Sequence, residues 1–232
     1  MGACAKKADK MAKLGVGIYK DTITEDARSG KNGTLNVIST VALTVFDDDG
    51  KIIKCYLDTL DGSYEFTSSG KYIAGGEELK TKRELGDSYV MSEDKDKLKW
   101  YEQADAFAAL AKGKTVSEVK KMVTDGGKGT SEVISAGCTI TVSDFAAAIE
   151  LSEKNTEDIM ISADPRTDIK IKYTVSGRDA TDTADGEIKV MIKAEAFLDD
   201  KGDKTPSHTA ESEEKIRFGK NGTVITEKTN TD

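Results

Sequence analysis

A β-rich pattern that occurs twice constrains the fold most. Residues 34–46 are dense in Val, Thr and Ile, run into Asp47-Asp48-Asp49-Gly50, and resume as strand-like residues 51–57. β-Branched residues suit a pleated, half-buried surface, and an Asp-Gly step between two such runs signals a hairpin. Residues 34–73 align without gaps on residues 186–225, an offset of 152 (186 − 34). The alignment matches Ala42 with Ala194, Asp47 and Asp48 with Asp199 and Asp200, and Gly50 with Gly202. It also matches Phe66 with Phe218, Gly70 with Gly222 and Ile73 with Ile225. Between the two copies, Ile169-Lys170-Ile171-Lys172-Tyr173-Thr174-Val175 alternates strictly, so one of its faces is expected to be buried.

The middle of the chain has a different period. Over residues 95–111, Leu98, Tyr101, Ala104, Phe107, Ala108 and Ala111 recur at helical spacing, and Gly113 follows as a stop. Thr115-Val116-Ser117-Glu118 is a capping box that opens a short helix with Val116, Val119, Met122 and Val123 inward. Asp125-Gly126-Gly127 ends it, and a loop leads to Ala136-Gly137-Cys138-Thr139-Ile140-Thr141. Ser143 or Asp144 then caps a last helix with Phe145, Ala148, Ile149 and Ser152 along one side. The expected fold class is α+β, with a twisted antiparallel sheet plus helices over 14–155 and a truncated, mostly β repeat over 156–232. Residues 1–13 read as a polar tether.

Composition removes several function classes. The net charge is −8 and the pI about 5.0, the wrong sign for sequence-independent binding to nucleic acid or anionic lipid. One His, His208, leaves no material for a His-based zinc site or a Ser-His-Asp triad. Cys4, Cys55 and Cys138 have no zinc spacing, and an odd count fits no simple disulfide framework. Asp47-Asp48-Asp49-Gly50 and Asp199-Asp200-Lys201-Gly202-Asp203 lack the closing Glu of an EF-hand loop and read as hairpin turns. The opening Met1-Gly2-Ala3-Cys4 and the polar residues after it fit a lipidated Cys4 on a tether, the alternative being an incidental Cys.

Chemistry concentrates in two segments. Gly113-Lys114-Thr115 is followed, some twenty residues on, by Ala136-Gly137-Cys138-Thr139-Ile140-Thr141 and a helix. Glycine lets the backbone approach a phosphate, amides ahead of a helix can bind an anion, and Thr139 and Thr141 offer hydroxyls. Earlier, Glu84-Leu85-Gly86-Asp87-Ser88-Tyr89-Val90-Met91 precedes Trp100-Tyr101-Glu102-Gln103. Together these resemble the FMN-binding-like repeats of Gram-positive extracellular electron-transfer lipoproteins. More distantly they resemble the FMN-binding subunits of sodium-pumping NADH:quinone oxidoreductases and Rnf complexes.

The resemblance implies that Thr139 would be the residue esterified to the FMN phosphate by a separate flavin transferase, with Gly137, Cys138 and Thr141 around it. It makes Leu85, Gly86, Tyr89 and Met91 candidates for the flavin-ring pocket, for which aromatic and Met side chains are suited. The key loop departs from the family pattern. Ala136 stands where the family has Ser or Thr, Cys138 where it has Ala, and Val133 where it has Asp, with Glu132 one step earlier. Two functions follow. One is a cell-surface flavoprotein, lipid-anchored through Cys4 on the extracellular face of the membrane, relaying electrons between redox partners. The other is a surface binding or structural module of the same fold that has lost its flavin site. The retained Gly137, Thr139 and Thr141 favour the first, the altered Ala136 and Cys138 the second.

Overall fold

The computed structural model describes residues 10–75, 79–91, 98–161, 167–179, 181, 184–198, 208–219 and 223–227. Cys4 and the Asp199–Asp203 turn lie outside them. Five strands, β1 (Lys10–Glu25), β2 (Gly33–Phe46), β3 (Ile52–Phe66), β4 (Tyr72–Gly75) and β5 (Thr156–Ile161), form an antiparallel sheet in the order β4-β3-β2-β1-β5. A second antiparallel sheet is a meander of β6 (Thr167–Arg178), β7 (Gly186–Leu198), β8 (His208–Phe218) and β9 (Val224–Glu227). Between β4 and β5 lie α1 (Lys82–Leu85), α2 (Trp100–Ala111), α3 (Val116–Lys120), α4 (Ser131–Ser135) and α5 (Ser143–Lys154). The molecule is α+β in the broad sense, mostly β with a small helical layer.

The first sheet is the middle of three layers because both its faces are apolar. In β2, Ala42 and Phe46 point to the helices and join Ile52, Leu57, Trp100, Phe107, Phe145 and Ile149 in one core. Alternate residues Val41, Leu43 and Val45 point the other way and meet Ala194 and Ala196 of β7. Farther along, Leu35, Val37, Tyr64 and Phe66 pack on Ile188, Val190, Ile192 and Phe218. The second sheet therefore shares two cores with the first, and the repeat unit is packed face to face on its counterpart.

Two expected boundaries shift for this reason. β1 already begins at Lys10, inside the stretch read as tether, because Ala12, Leu14 and Val16 are needed in the inter-sheet core. The boundary expected after residue 155 falls just before β5, which pairs with β1 through Met11 opposite Met160 and Leu14 opposite Glu157 and so belongs to the first sheet.

The repeat is visible in the topology, β1-β2-β3-β4 matching β6-β7-β8-β9. The gapless alignment holds only for the last two strands: Phe66 pairs with Tyr72 as Phe218 pairs with Val224. For β7 the structural match is one residue further on, since Leu35, Val37, Val41 and Leu43 correspond to Ile188, Val190, Ala194 and Ala196. Ala42 does not correspond to Ala194, because a one-residue slip carries a side chain to the opposite face. In the corrected register Gly33 lies opposite Phe66 and Gly186 opposite Phe218. Each ring covers its glycine where a Cβ would collide, and the two rings meet between the sheets at 5.3 Å.

Turn and cap signals largely place the elements. The Asp47 carboxylate accepts from the amides of Asp49 and Lys51, and Gly50 takes the positive φ of 73° that closes the hairpin. Thr115 and Glu118 form the expected reciprocal cap of α3. For α5 the expected side-chain cap is absent. Val142 is the N-cap, Ser143 Oγ donates to Asp144 instead, and the Val142 and Ser143 amides donate to Gly127 O. Leu98 precedes α2 and is exposed rather than inward, and α4 forms where a plain loop is expected.

α5 lies directly on β1. A Cβ at Gly17 would come closer than 3.0 Å to Ala148 O and Ser152 N, and one at Gly15 likewise to Ser152 O. Ser152 Oγ donates to Ile149 O at 2.7 Å and lies 2.9 Å from Thr44 Oγ1, which fixes the helix on the sheet.

Candidate functional site

The loop at residues 136–141 runs from the end of α4 to the start of α5, beside the first turns of α2. Gly137 has φ 99°, a left-handed conformation that disfavours a side chain, and a Cβ there would strike Leu98 Cδ1. Cys138 is fully buried in the helical core, and burial pushes its thiol up to about 11. Val133 is buried beside it, whereas Glu132 is exposed and 3.9 Å from Lys114 Nζ. Thr139 is exposed, as is Thr141, whose backbone bridges to Lys128.

One residue holds this loop. Gln103 on α2 is 2% exposed. Its Oε1 accepts from Thr139 N at 2.8 Å, Thr139 Oγ1 at 3.2 Å and Ile140 N at 3.2 Å, and its Nε2 donates to Leu98 O at 2.9 Å. Gln103 belongs to the buried stripe of Trp100, Ala104, Phe107, Ala108 and Ala111. Reading apolar spacing alone passes over it. The available signal is a polar residue at a core position of a helix, which must find partners once buried.

Four of the amides expected to cradle an anion are already used. Gly137 N donates to Ile134 O, Cys138 N to Val133 O, and those of Thr139 and Ile140 to Gln103. The Asp144 carboxylate sits in the first turn of α5, complementing the positive end of that helix. Tyr19 of β1 faces the same end, where burial first and Asp144 second raise its phenol above the ordinary value. The amides of residues 137–140 are therefore not free to form a phosphate nest. What the loop offers is the Thr139 hydroxyl, whose proton is directed at Gln103 and whose lone pairs remain available. The Lys128 ammonium offsets a small part of the rise at Cys138.

The second predicted segment reaches the same two turns of α2 from the other side. Thr81 and Glu84 cap α1 reciprocally, and Arg83 anchors it by donating to Leu57 O at 2.6 Å and Asp105 at 2.6 Å while lying over Tyr56. Asp58, buried beneath it, accepts from the Thr59 and Arg83 amides, and burial raises its carboxyl above the usual range. Leu85 is partly buried, and Gly86 has φ 52° as the chain leaves α1. Lys82 Nζ lies over Tyr89 at 4.9 Å and Trp100 at 5.5 Å, and Tyr101 OH donates to Asp87 at 3.1 Å. Tyr89 packs on the helical core, while Val90 and Met91 stay exposed. Both segments touch the start of α2: 82–91 through Trp100 and Tyr101, and 136–141 through Leu98 and Gln103. Leu98 and Ile134, flanking the Gly137 turn, are 41% and 49% exposed. These partly exposed apolar side chains lie on the same loop surface as the Thr139 hydroxyl.

Among the described residues no group of three or more His, Cys, Asp and Glu is placed to hold a metal ion, and no helix is long and apolar enough to cross a membrane. No family model matches the sequence, and no solved structure matches it. The chain is similar to a chlorophenol reductase of Desulfitobacterium hafniense, at 32% identity over 131 residues. The match covers 51% of this chain and 39% of that protein, so the chain spans well under half the length of this relative.

Proposed function

We propose that this protein is a flavin-bearing electron carrier, with FMN joined through its phosphate to Thr139. One observation carries the reading: an exposed threonine hydroxyl held by a buried glutamine on an otherwise internally satisfied loop, beside exposed apolar side chains. The residues fit a group held by an ester bond at Thr139 better than one held by a cradle of amides, since the amides of residues 137–140 are in use. Leu98 and Ile134 would cover one side of a flat ring, and Lys128 would offset phosphate charge. Bound flavin supplies one- and two-electron transfer, and the protein supplies attachment and a partly dry surface. The relative's name, a reductase, is consistent with a redox role for the shared segment.

In this reading the second sheet is a truncated repeat without the helices or the Gly-Thr loop. It covers the first sheet rather than carrying a second flavin. Cys4 would carry the lipid that holds the molecule on the extracellular face of the membrane, next to its redox partners.

A second reading has one specific observation behind it. The amides of residues 137–140 are spent, and Val133, where the resembled family has Asp, is buried in the core. A surface module that has lost its flavin would look like this. The two readings separate on co-expression with a flavin transferase, followed by visible absorbance of wild type and Thr139→Ala. Yellow wild type and colourless variant support the carrier. Two colourless proteins, which also fail to bind added FMN, support the module.

A further inference from the structure

Gln103 does more than fill a core position. A carboxamide buried to 2% exposure in the stripe of Trp100, Ala104 and Phe107 is costly unless all its polar atoms are used. Here they converge on one place: three donors from Thr139 and Ile140 on Oε1, and the Leu98 carbonyl on Nε2. The orientation of the amide is fixed by chemistry. Two of the groups at Oε1 are backbone N–H, which can only donate, so the amide nitrogen cannot face them. The same side chain also holds Leu98, which sits against Gly137 and closes the turn from the other side.

We propose that Gln103 is the positioning residue for modification of Thr139; this rests on the reading of Thr139 as the flavin-attachment residue. In the attachment, Thr139 Oγ forms a bond to the flavin-side phosphorus of flavin adenine dinucleotide. The phosphoanhydride bond breaks and adenosine monophosphate leaves with the bonding electrons. The hydroxyl proton passes to a base of the transferase, since a carboxamide oxygen is far too weak a base to keep it. No electrons are exchanged with any other reagent. The contribution of Gln103 is geometric. It pins the Thr139 and Ile140 amides, which fixes where the Thr139 oxygen sits for the incoming phosphorus, and the hydroxyl proton turns from Oε1 to the transferase base as the bond forms. Misplacing a reacting atom by about 1 Å costs up to about a hundredfold in rate.

The test is steady-state flavin attachment to the full chain, using a flavin transferase and flavin adenine dinucleotide, followed by intact mass. Gln103→Met keeps the size and loses the acceptor, whereas Gln103→Glu keeps the acceptor. Expected for Gln103→Met is a kcat about thirtyfold or more below wild type, with KM for the protein acceptor within about threefold. Gln103→Glu is expected to recover most of the lost kcat. A folded Gln103→Met variant modified at the wild-type kcat overturns the proposal, as does a Gln103→Glu variant no better than Gln103→Met. If Gln103→Met does not fold, amide exchange in the wild type decides: slow exchange at Thr139 and Ile140 supports the contact, and fast exchange at both overturns it. A wild type left unmodified by a transferase active on its own acceptor overturns the attachment reading itself, a failure distinct from equal rates in the variants.

Discussion

Replacing Gly17 by Ala tests the layer packing that carries the site. The new Cβ would lie closer than 3.0 Å to Ala148 O and Ser152 N, both backbone atoms of α5. Ordinary contact lies near 3.5 Å, so α5 must lift from β1 by about 1 Å, or the strand must bend away from it. Overpacking of this kind costs about 1–3 kcal/mol, and the upper end applies because neither colliding atom belongs to a side chain that can rotate away. Alanine recovers about 0.5–1 kcal/mol through the unfolded state. The net expectation is a loss of about 2 kcal/mol, or a fall in Tm of about 4–8 °C for a domain of this size.

The control is Gly50→Ala. Gly50 has φ +73° with nothing within 4 Å of an added Cβ, so only the conformational cost of about 1 kcal/mol applies. Denaturant unfolding followed by the fluorescence of Trp100, the only tryptophan and buried in the helical core, measures both variants. A loss at Gly17→Ala no larger than that at Gly50→Ala would refute direct seating of α5 on the sheet.

Other expectations concern charge and thiols. Lys20 Nζ is 2.8 Å from Glu214 Oε2 and donates to Glu213 O, joining β1 to β8 between the sheets. Lys20→Met leaves the buried Glu214 carboxylate unpaired and should cost about 3 kcal/mol, while adding Glu214→Gln should restore part of it; an additive double-mutant cycle would contradict this. Cys138 and Cys55 are free thiols pushed by burial to about 11 and about 12. A disulfide reagent at pH 8 should therefore label neither before unfolding and both in guanidinium. Well below the ordinary thiol value of 9.0 both are neutral in either state and contribute nothing to the pH dependence. Above pH 9 the unfolded chain ionises first, and stability should fall by up to about 1.4 kcal/mol per pH unit for each thiol. A flat unfolding free energy from pH 8 to 10 would contradict this.

Most local chemical signals in the sequence are followed by the structure, the Ser143 or Asp144 cap of α5 being the exception. The Asp47–Gly50 hairpin, the Thr115–Glu118 cap and the Phe145, Ala148, Ile149 and Ser152 face of α5 each rest on a few adjacent residues. What could not be read depends on distant pairing. The second copy has one residue fewer between Gly186 and Phe218 than the first has between Gly33 and Phe66, and only the facing sheet decides which side of β7 is inner. α4 has five residues and is held by tertiary contacts, since short helices are marginal alone. The site was half legible. The positions of Gly137 and Thr139 were apparent from their order, but their dependence on Gln103 was not, because a contact across 36 residues leaves no local mark. Glycine before a helix suggested free amides for an anion, but those of residues 137–140 are taken, two by backbone carbonyls and two by Gln103.

Peptide mapping of the protein co-expressed with a flavin transferase tests the central proposal most directly. Tandem mass spectrometry reads which hydroxyl, if any, carries the flavin phosphate. Expected is a single FMN phosphoester on Thr139, with Thr141 and Ser135 unmodified. An unmodified chain, or flavin on another hydroxyl with Thr139 free, would contradict it.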